Sequence, residues 1–171
     1  VRVAVGVSIG VAIAPVHGLD RIELSRKADI ALYEAKASGR GRYVLFTEAM
    51  DATVKRRQAI EHDLREALAL GGQLELHYQP KVRLATGLVS GFEALLRWRH
   101  PQRGLVAPGE FIALAEQTGL ILPIGDWVLE QACQQLRRWA EREPCRHWSL
   151  AINVSARQFA EGLGDNFRLV D

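Results

Sequence analysis

The stretch Phe92-Glu93-Ala94-Leu95-Leu96-Arg97-Trp98 carries a carboxylate and a guanidinium at strand spacing. Alternation along a strand puts Glu93, Leu95 and Arg97 on one face and Ala94, Leu96 and Trp98 on the other. Such a face can hold a metal ion and a phosphate side by side, because the acid supplies hard oxygen and the arginine a bidentate fork. The same two residues also suit a structural ion pair, the commoner outcome of such spacing. Asn153 closes the apolar run Leu150-Ala151-Ile152, at the kind of strand end where α/β sheets place ligand groups. Its amide oxygen could complete a hard-cation shell, or the residue could simply form a turn. Gln79, ahead of Pro80, is open in the same way. Lys36 and Arg40 straddle a predicted helix end, one turn apart and facing the same way, so they either satisfy the helix dipole or clamp a phosphate. The histidines at 17, 62, 77, 100 and 147 have no ligand spacing, which supports neither zinc nor a catalytic triad. No G-x-x-x-x-G-K loop is present, and Gly6 and Gly10 lie within a predicted strand.

Composition limits what these residues can serve. The chain has 171 residues, 48% hydrophobic and 25% charged, which excludes disorder over most of its length. Twenty-two basic against 20 acidic residues leave a net charge of +2, giving no electrostatic case for a nucleic-acid polymer or an anionic membrane. Any phosphate ligand must therefore be held locally. Cys133 and Cys145 form neither a disulfide framework nor a zinc site, and they are expected to be reduced thiols of a cytoplasmic protein. The apolar run Val3 to Val16 falls short of the roughly 20 residues a membrane helix needs, and it lacks a signal peptide's basic region. Val1 opens directly into a β-branched run and Asp171 follows Leu169-Val170 without a polar tail, so the chain is expected to be cut at both ends.

The elements that must position these residues follow from periodicity. Residues 3 to 14 predict a strand, and Asp20 with Glu23 starts a helix with Ile22, Ser25, Ala28, Asp29, Leu32, Tyr33, Ala35 and Lys36 on its broad face. Gly39 stops the helix and Tyr43 to Phe46 predict a second strand. Glu48 to Leu70 has no Gly or Pro and carries a stripe of Met50, Val54, Ile60, Leu64, Ala67 and Leu68, ending at Gly71-Gly72. That stripe needs a flanking domain or the second copy of a homodimer to cover it. Arg57 and Glu61 count against a long coiled coil, which favours docking on the domains. A hairpin of Leu74 to Val82 and Leu88 to Trp98 turns at Ala85-Thr86-Gly87. Helices follow over Pro108 to Gln117 and Leu122 to Arg142, the second with Ile124, Trp127, Val128, Ala132, Cys133, Leu136, Trp139 and Ala140 on its buried face. Trp148 to Val154 predict a last strand, giving an α/β sheet with open edges.

Taken as strings, these segments resemble two bacterial signalling families. Val7-Ser8-Ile9-Gly10-Val11-Ala12, Ala28 to Lys36 and Ser38-Gly39-Arg40 resemble the end of a GGDEF domain, with Gly41 where that family usually has Asn. The resemblance implies that Lys36 and Arg40 contact the phosphates of GTP, the catalytic loop lying upstream of Val1. Leu76-His77-Tyr78-Gln79-Pro80, Glu93 to Trp98, His100-Pro101, Phe111-Ile112 and Asn153-Val154-Ser155 resemble the opening of an EAL domain. That family hydrolyses cyclic di-GMP. By this resemblance Glu93 and Asn153 bind Mg²⁺ or Mn²⁺, while Gln79, Leu95 and Arg97 hold the dinucleotide. It further implies a (β/α)₈ barrel whose first strand runs antiparallel, with water activated by the cation attacking one phosphodiester to give linear pGpG. The family's general-base glutamate and catalytic lysine would lie beyond Asp171, so the chain alone is expected to be inactive. The implied organisation is residues 1–47 from a GGDEF domain, 48–71 as a connecting helix and 72–171 from an EAL domain. The alternative is a non-catalytic module that senses nucleotide and regulates a partner through that helix.

Overall fold

The computed structural model describes residues 6–160. It divides into two compact units, Val1–Ala59 and Ile60–Asp171. Among the described residues no single helix is long and apolar enough to cross a membrane.

In the first unit, β1 (Ile9–Val11) and β2 (Tyr43–Leu45) pair in parallel, Ile9 opposite Tyr43 and Val11 opposite Leu45, with α1 (Arg21–Ala37) as the crossover. The strand expected over residues 3 to 14 is thus three residues long in its described part, residues 3 to 5 lying outside the described range. Its partner offers only three residues to pair with, and Pro15, which has no N–H to give, stands in the turn beyond. Asp20 caps α1 as expected, its side chain accepting from the Glu23 N–H at 2.9 Å. The buried face of α1 differs from the expected one. Lys27, Ala31 and Ala35 are buried, whereas Ile22, Ser25, Asp29, Tyr33 and Lys36 are exposed. The cause is Gly10: a Cβ there would strike the Ala28 carbonyl and the Leu32 N–H, so the helix backbone rests directly on the strand. That contact, rather than the bulky residues, fixes which side of the helix faces inward.

The long helix α2 (Glu48–Leu70) contributes its first residues to this unit. Lys27 donates to the His17 carbonyl at 2.8 Å and pairs with Glu23 at 2.9 Å and Glu48 at 3.4 Å, above the ring of fully buried Phe46. Asp51 of α2 meets Arg26 and, at 2.9 Å, Lys55. Arg57 donates to the Tyr33 hydroxyl at 2.8 Å.

The second unit is built on β4 (Val89–His100). On one edge β3 (Leu74–Val82) pairs with it antiparallel as the expected hairpin. On the other, β5 (Gly104–Val106) pairs antiparallel with its last residues, and β6 (Ser149–Ile152) runs parallel beside Gly91 to Ala94. The sequence did not signal β5, whose three residues are too few for alternation to register. The crossover from β4 to β6 contains α3 (Pro108–Thr118) and α4 (Ile121–Ala140), and a short α5 (Ala156–Ala160) follows β6. The core gathers Trp98, Phe111, Leu64 and Ile124, with Ile60 and Ala67 of α2 in the same cluster. On α4 the buried row is Ile121, Ile124, Gly125, Val128 and Ala132. Cys133 and Ala140, expected on that face, are exposed, because the row advances in steps of three and four and reaches 132 rather than 133. Further along, Trp139 leaves the aliphatic core and packs among the rings of Tyr78, Phe92 and Trp148.

Candidate functional site

The β3–β4 register places Gln79 opposite Glu93, His77 opposite Leu95 and Glu75 opposite Arg97. Directly opposed residues share a face, so alternation collects Gln79, Glu93, Leu95 and Arg97 on one side of the sheet. Ala94 and Trp98 on the other side are buried against the helices. The parallel pairing of β6 sets Ala151 opposite Glu93. Asn153, two residues on, therefore arrives beside that carboxylate, and its Nδ2 donates to Glu93 Oε1 at 2.8 Å. Five of the residues singled out from the sequence, Gln79, Glu93, Leu95, Arg97 and Asn153, are thus brought to one face by three strands.

Glu93 and Arg97 form no ion pair with each other among the described residues. The guanidinium donates instead to the Leu96 carbonyl at 2.8 Å. Glu75, its neighbour across the hairpin, is engaged elsewhere, at 2.9 Å from both His77 and Arg99. Those two contacts, His77 first, hold the Glu75 carboxyl below the usual carboxylate range. Among the described residues Arg97 therefore pairs with neither acid of its own face.

A hard divalent cation takes six or more oxygens. Glu93 supplies a carboxylate, and Asn153 supplies a carbonyl once its amide turns over, since its oxygen and nitrogen occupy equivalent positions. The donor chemistry fits a cation of the Mg²⁺ or Mn²⁺ kind at two positions of its shell. No group of three or more His, Cys, Asp or Glu suited to a metal is present among the described residues. A hollow of about 320 Å³ is lined by Leu95, Arg97 and Asn153 of this site together with the apolar Leu96, Ile124 and Ile152.

Lys36 and Arg40 are both exposed. The helical alignment expected of them does not hold, because α1 ends at Ala37 with Ser38 as its cap. Arg40 lies beyond it in the left-handed region, at φ 58°, with its N–H on the Ala35 carbonyl at 3.0 Å. One cluster was not legible from spacing, although His100 stands in one of the EAL-like strings: buried His100, Asp63 of α2 and Arg103. His100 has no partner at ligand spacing, and two of its contacts are with backbone N–H groups that no side-chain pattern encodes.

The family model for the EAL domain matches residues 61–169. The chain is 49% identical over 168 residues to the bifunctional diguanylate cyclase/cyclic di-GMP phosphodiesterase MucR of Pseudomonas aeruginosa, covering 98% of this chain and 24% of that protein. It is 41% identical over 161 residues to the cyclic di-GMP phosphodiesterase PdeR of Escherichia coli, covering 94% of this chain and 24% of that protein. The solved PaMucR phosphodiesterase in complex with c-di-GMP superposes with a TM-score of 0.57 at 54% identity, over 61% of this chain and 41% of that one. The chain spans about a quarter of the length of the curated relatives it matches. A match over residues 61–169 takes in the whole sheet of the second unit, its helices and the Asn153–Glu93 contact, and the chain belongs to the EAL domain family.

Proposed function

We propose that the chain contributes the first part of a phosphodiesterase that hydrolyses cyclic di-GMP to linear pGpG. One observation carries this: Asn153 seated on Glu93, next to an Arg97 that pairs with no acid among the described residues, on one face of the sheet. In this reading Glu93 and Asn153 hold Mg²⁺ or Mn²⁺, Arg97 grips a phosphate of the dinucleotide with its fork, and Gln79 and Leu95 line the same cleft. A cation bound there supplies charge neutralisation and activates water for in-line attack. Arg97 fixes the phosphate so that the attack line is set before reaction. The water oxygen bonds to phosphorus, the bond from phosphorus to the 3′ oxygen breaks, and the proton ends on that oxygen. The relatives named above as cyclic di-GMP phosphodiesterases support the assignment.

For the first unit we propose the end of a GGDEF domain over residues 1–47, with Lys36 and Arg40 on the phosphates of GTP, a connecting helix over 48–71 and the EAL portion over 72–171. Support comes from MucR, named a bifunctional diguanylate cyclase and phosphodiesterase, whose match extends over 98% of this chain and so beyond the EAL segment. A cytoplasmic location fits the two free thiols, Cys133 and Cys145.

The test is product analysis. The full-length protein, supplied with Mg²⁺, should convert cyclic di-GMP to pGpG, and the 171-residue chain should not, because two donors do not complete a cation shell. Binding of cyclic di-GMP by the full-length protein without turnover would instead make it a sensing module.

A further inference from the structure

We propose that His100 is a positioning residue for the substrate, an inference that rests on the phosphodiesterase reading above. His100 is the last residue of β4, three beyond Arg97, and only 6% exposed. Its Nδ1 lies 3.0 Å from the Gln102 N–H nitrogen and 3.1 Å from that of Arg103. A nitrogen that accepts two backbone N–H groups carries no proton of its own, so the ring proton resides on Nε2. That atom is 3.1 Å from Oδ2 of Asp63, to which it donates. The Trp98 ring meets the imidazole edge-on at 5.4 Å, and Arg103 reaches the same Asp63 oxygen at 3.5 Å.

A buried His–carboxylate pair beside a catalytic strand invites assignment as a general base. Here the nitrogen that would take the proton is filled by backbone, so the ring acts as a fixed strut. It ties together the turn after β4, the end of β4 itself and, through Asp63, helix α2. That turn returns the chain as β5, with Gly104 opposite His100 and Val106 opposite Trp98. It lies at the C-terminal end of the strand that carries Glu93 and Arg97, the end at which barrel folds place their ligands. The strut therefore acts through the backbone, fixing the end of β4 three residues beyond Arg97 from the opposite face of the strand, and a displacement of about 1 Å in that backbone is enough to weaken capture severely.

The test uses the full-length protein, with kcat and KM for cyclic di-GMP measured beside the melting temperature. His100→Ala should raise KM about tenfold with kcat within about twofold. His100→Asn presents an acceptor to the same two N–H groups and should restore KM to within about threefold of the original. A lowered melting temperature with unmoved KM would make His100 mere scaffold and overturn the proposal. If His100→Ala does not fold, Asp63→Ala keeps the ring and its turn contacts while releasing Nε2. It should still raise KM, and an unmoved KM there overturns the proposal equally. Glu93→Ala separates the two levels of inference. Normal turnover in that variant would bring down the phosphodiesterase reading and this proposal with it, whereas lost turnover with unmoved KM at positions 63 and 100 brings down only the positioning role.

Discussion

Asn153 Nδ2 sits 2.8 Å from Glu93 Oε1, across 60 residues of sequence. The contact exists because β6 joins β4 in parallel with Ala151 opposite Glu93, so the residue just past the strand end falls beside the carboxylate. Were a hard cation bound at Glu93, the same amide could turn its oxygen inward, and the pair would offer two of the six or more donors such a cation takes.

That geometry predicts the behaviour of Asn153→Asp. Two carboxylates held at this separation repel, so the substituted 171-residue chain should melt below the original and recover when Mn²⁺ is added. A melting temperature insensitive to Mn²⁺ would count against a cation at Glu93. In the full-length protein Glu93→Ala should abolish hydrolysis at any Mg²⁺ concentration.

Arg97→Ala should behave differently in kind. The guanidinium is proposed to grip substrate rather than to activate water, so its removal should raise KM by about ten- to a hundredfold, the worth of a charge-assisted contact, and lower kcat far less. Steady-state kinetics of the full-length protein decide this. A kcat loss as deep as that of Glu93→Ala would place Arg97 in the chemical step.

Much of this site is legible in the sequence because strand alternation is strict: once β4 is recognised, Glu93, Leu95 and Arg97 share a face by the two-residue period alone. The meeting of Glu93 with Asn153 is not legible in that way, since it depends on which strand lies beside β4 and in what register. Helix faces were read less well. On α1 the bulky Ile22 and Tyr33 point outward and small Ala31 and Ala35 inward, because the close approach at Gly10 outweighs the preference for burying large side chains. The His100 strut was invisible for another reason, its two turn contacts being with main-chain N–H groups.

Asp51 gives the first unit a pH dependence of known sign. Its hydrogen bond with Arg26, then that with Lys55, lowers the carboxyl from 3.8 to about 2. The unfolded chain lacks these contacts and takes up its proton near the ordinary value. The contribution of Asp51 to stability is therefore complete above pH 3.8 and lost as the pH falls toward about 2. Urea midpoints of the original chain and of Asp51→Asn should differ at pH 5 and converge as the pH approaches 2, with Glu75 titrating alike in both proteins and cancelling. A gap of constant size down to that pH would mean that the Arg26 contact does not hold the carboxylate.

Helix α2 carries the last prediction. Its 23 residues span about 34 Å at 1.5 Å per residue, with no internal Gly or Pro to bend it. Its contacts change along its length. Asp51 and Arg57 are bonded to Arg26 and Tyr33 of the first unit, while Ile60, Leu64 and Ala67 belong to the core around Trp98. The first part of the helix is thus bonded within the first unit and its last part packs within the second. A Gly-Gly insertion after Arg57 costs about 2 kcal/mol of helix propensity at a point where few side chains are buried, too little to unfold either half. Both units should keep their melting transitions. The insertion should break the connection proposed for α2, so in the full-length protein any change of phosphodiesterase rate on adding GTP should disappear, while the rate without GTP is preserved. If the response to GTP survives the insertion, α2 is a spacer and the two units communicate, if at all, by another route.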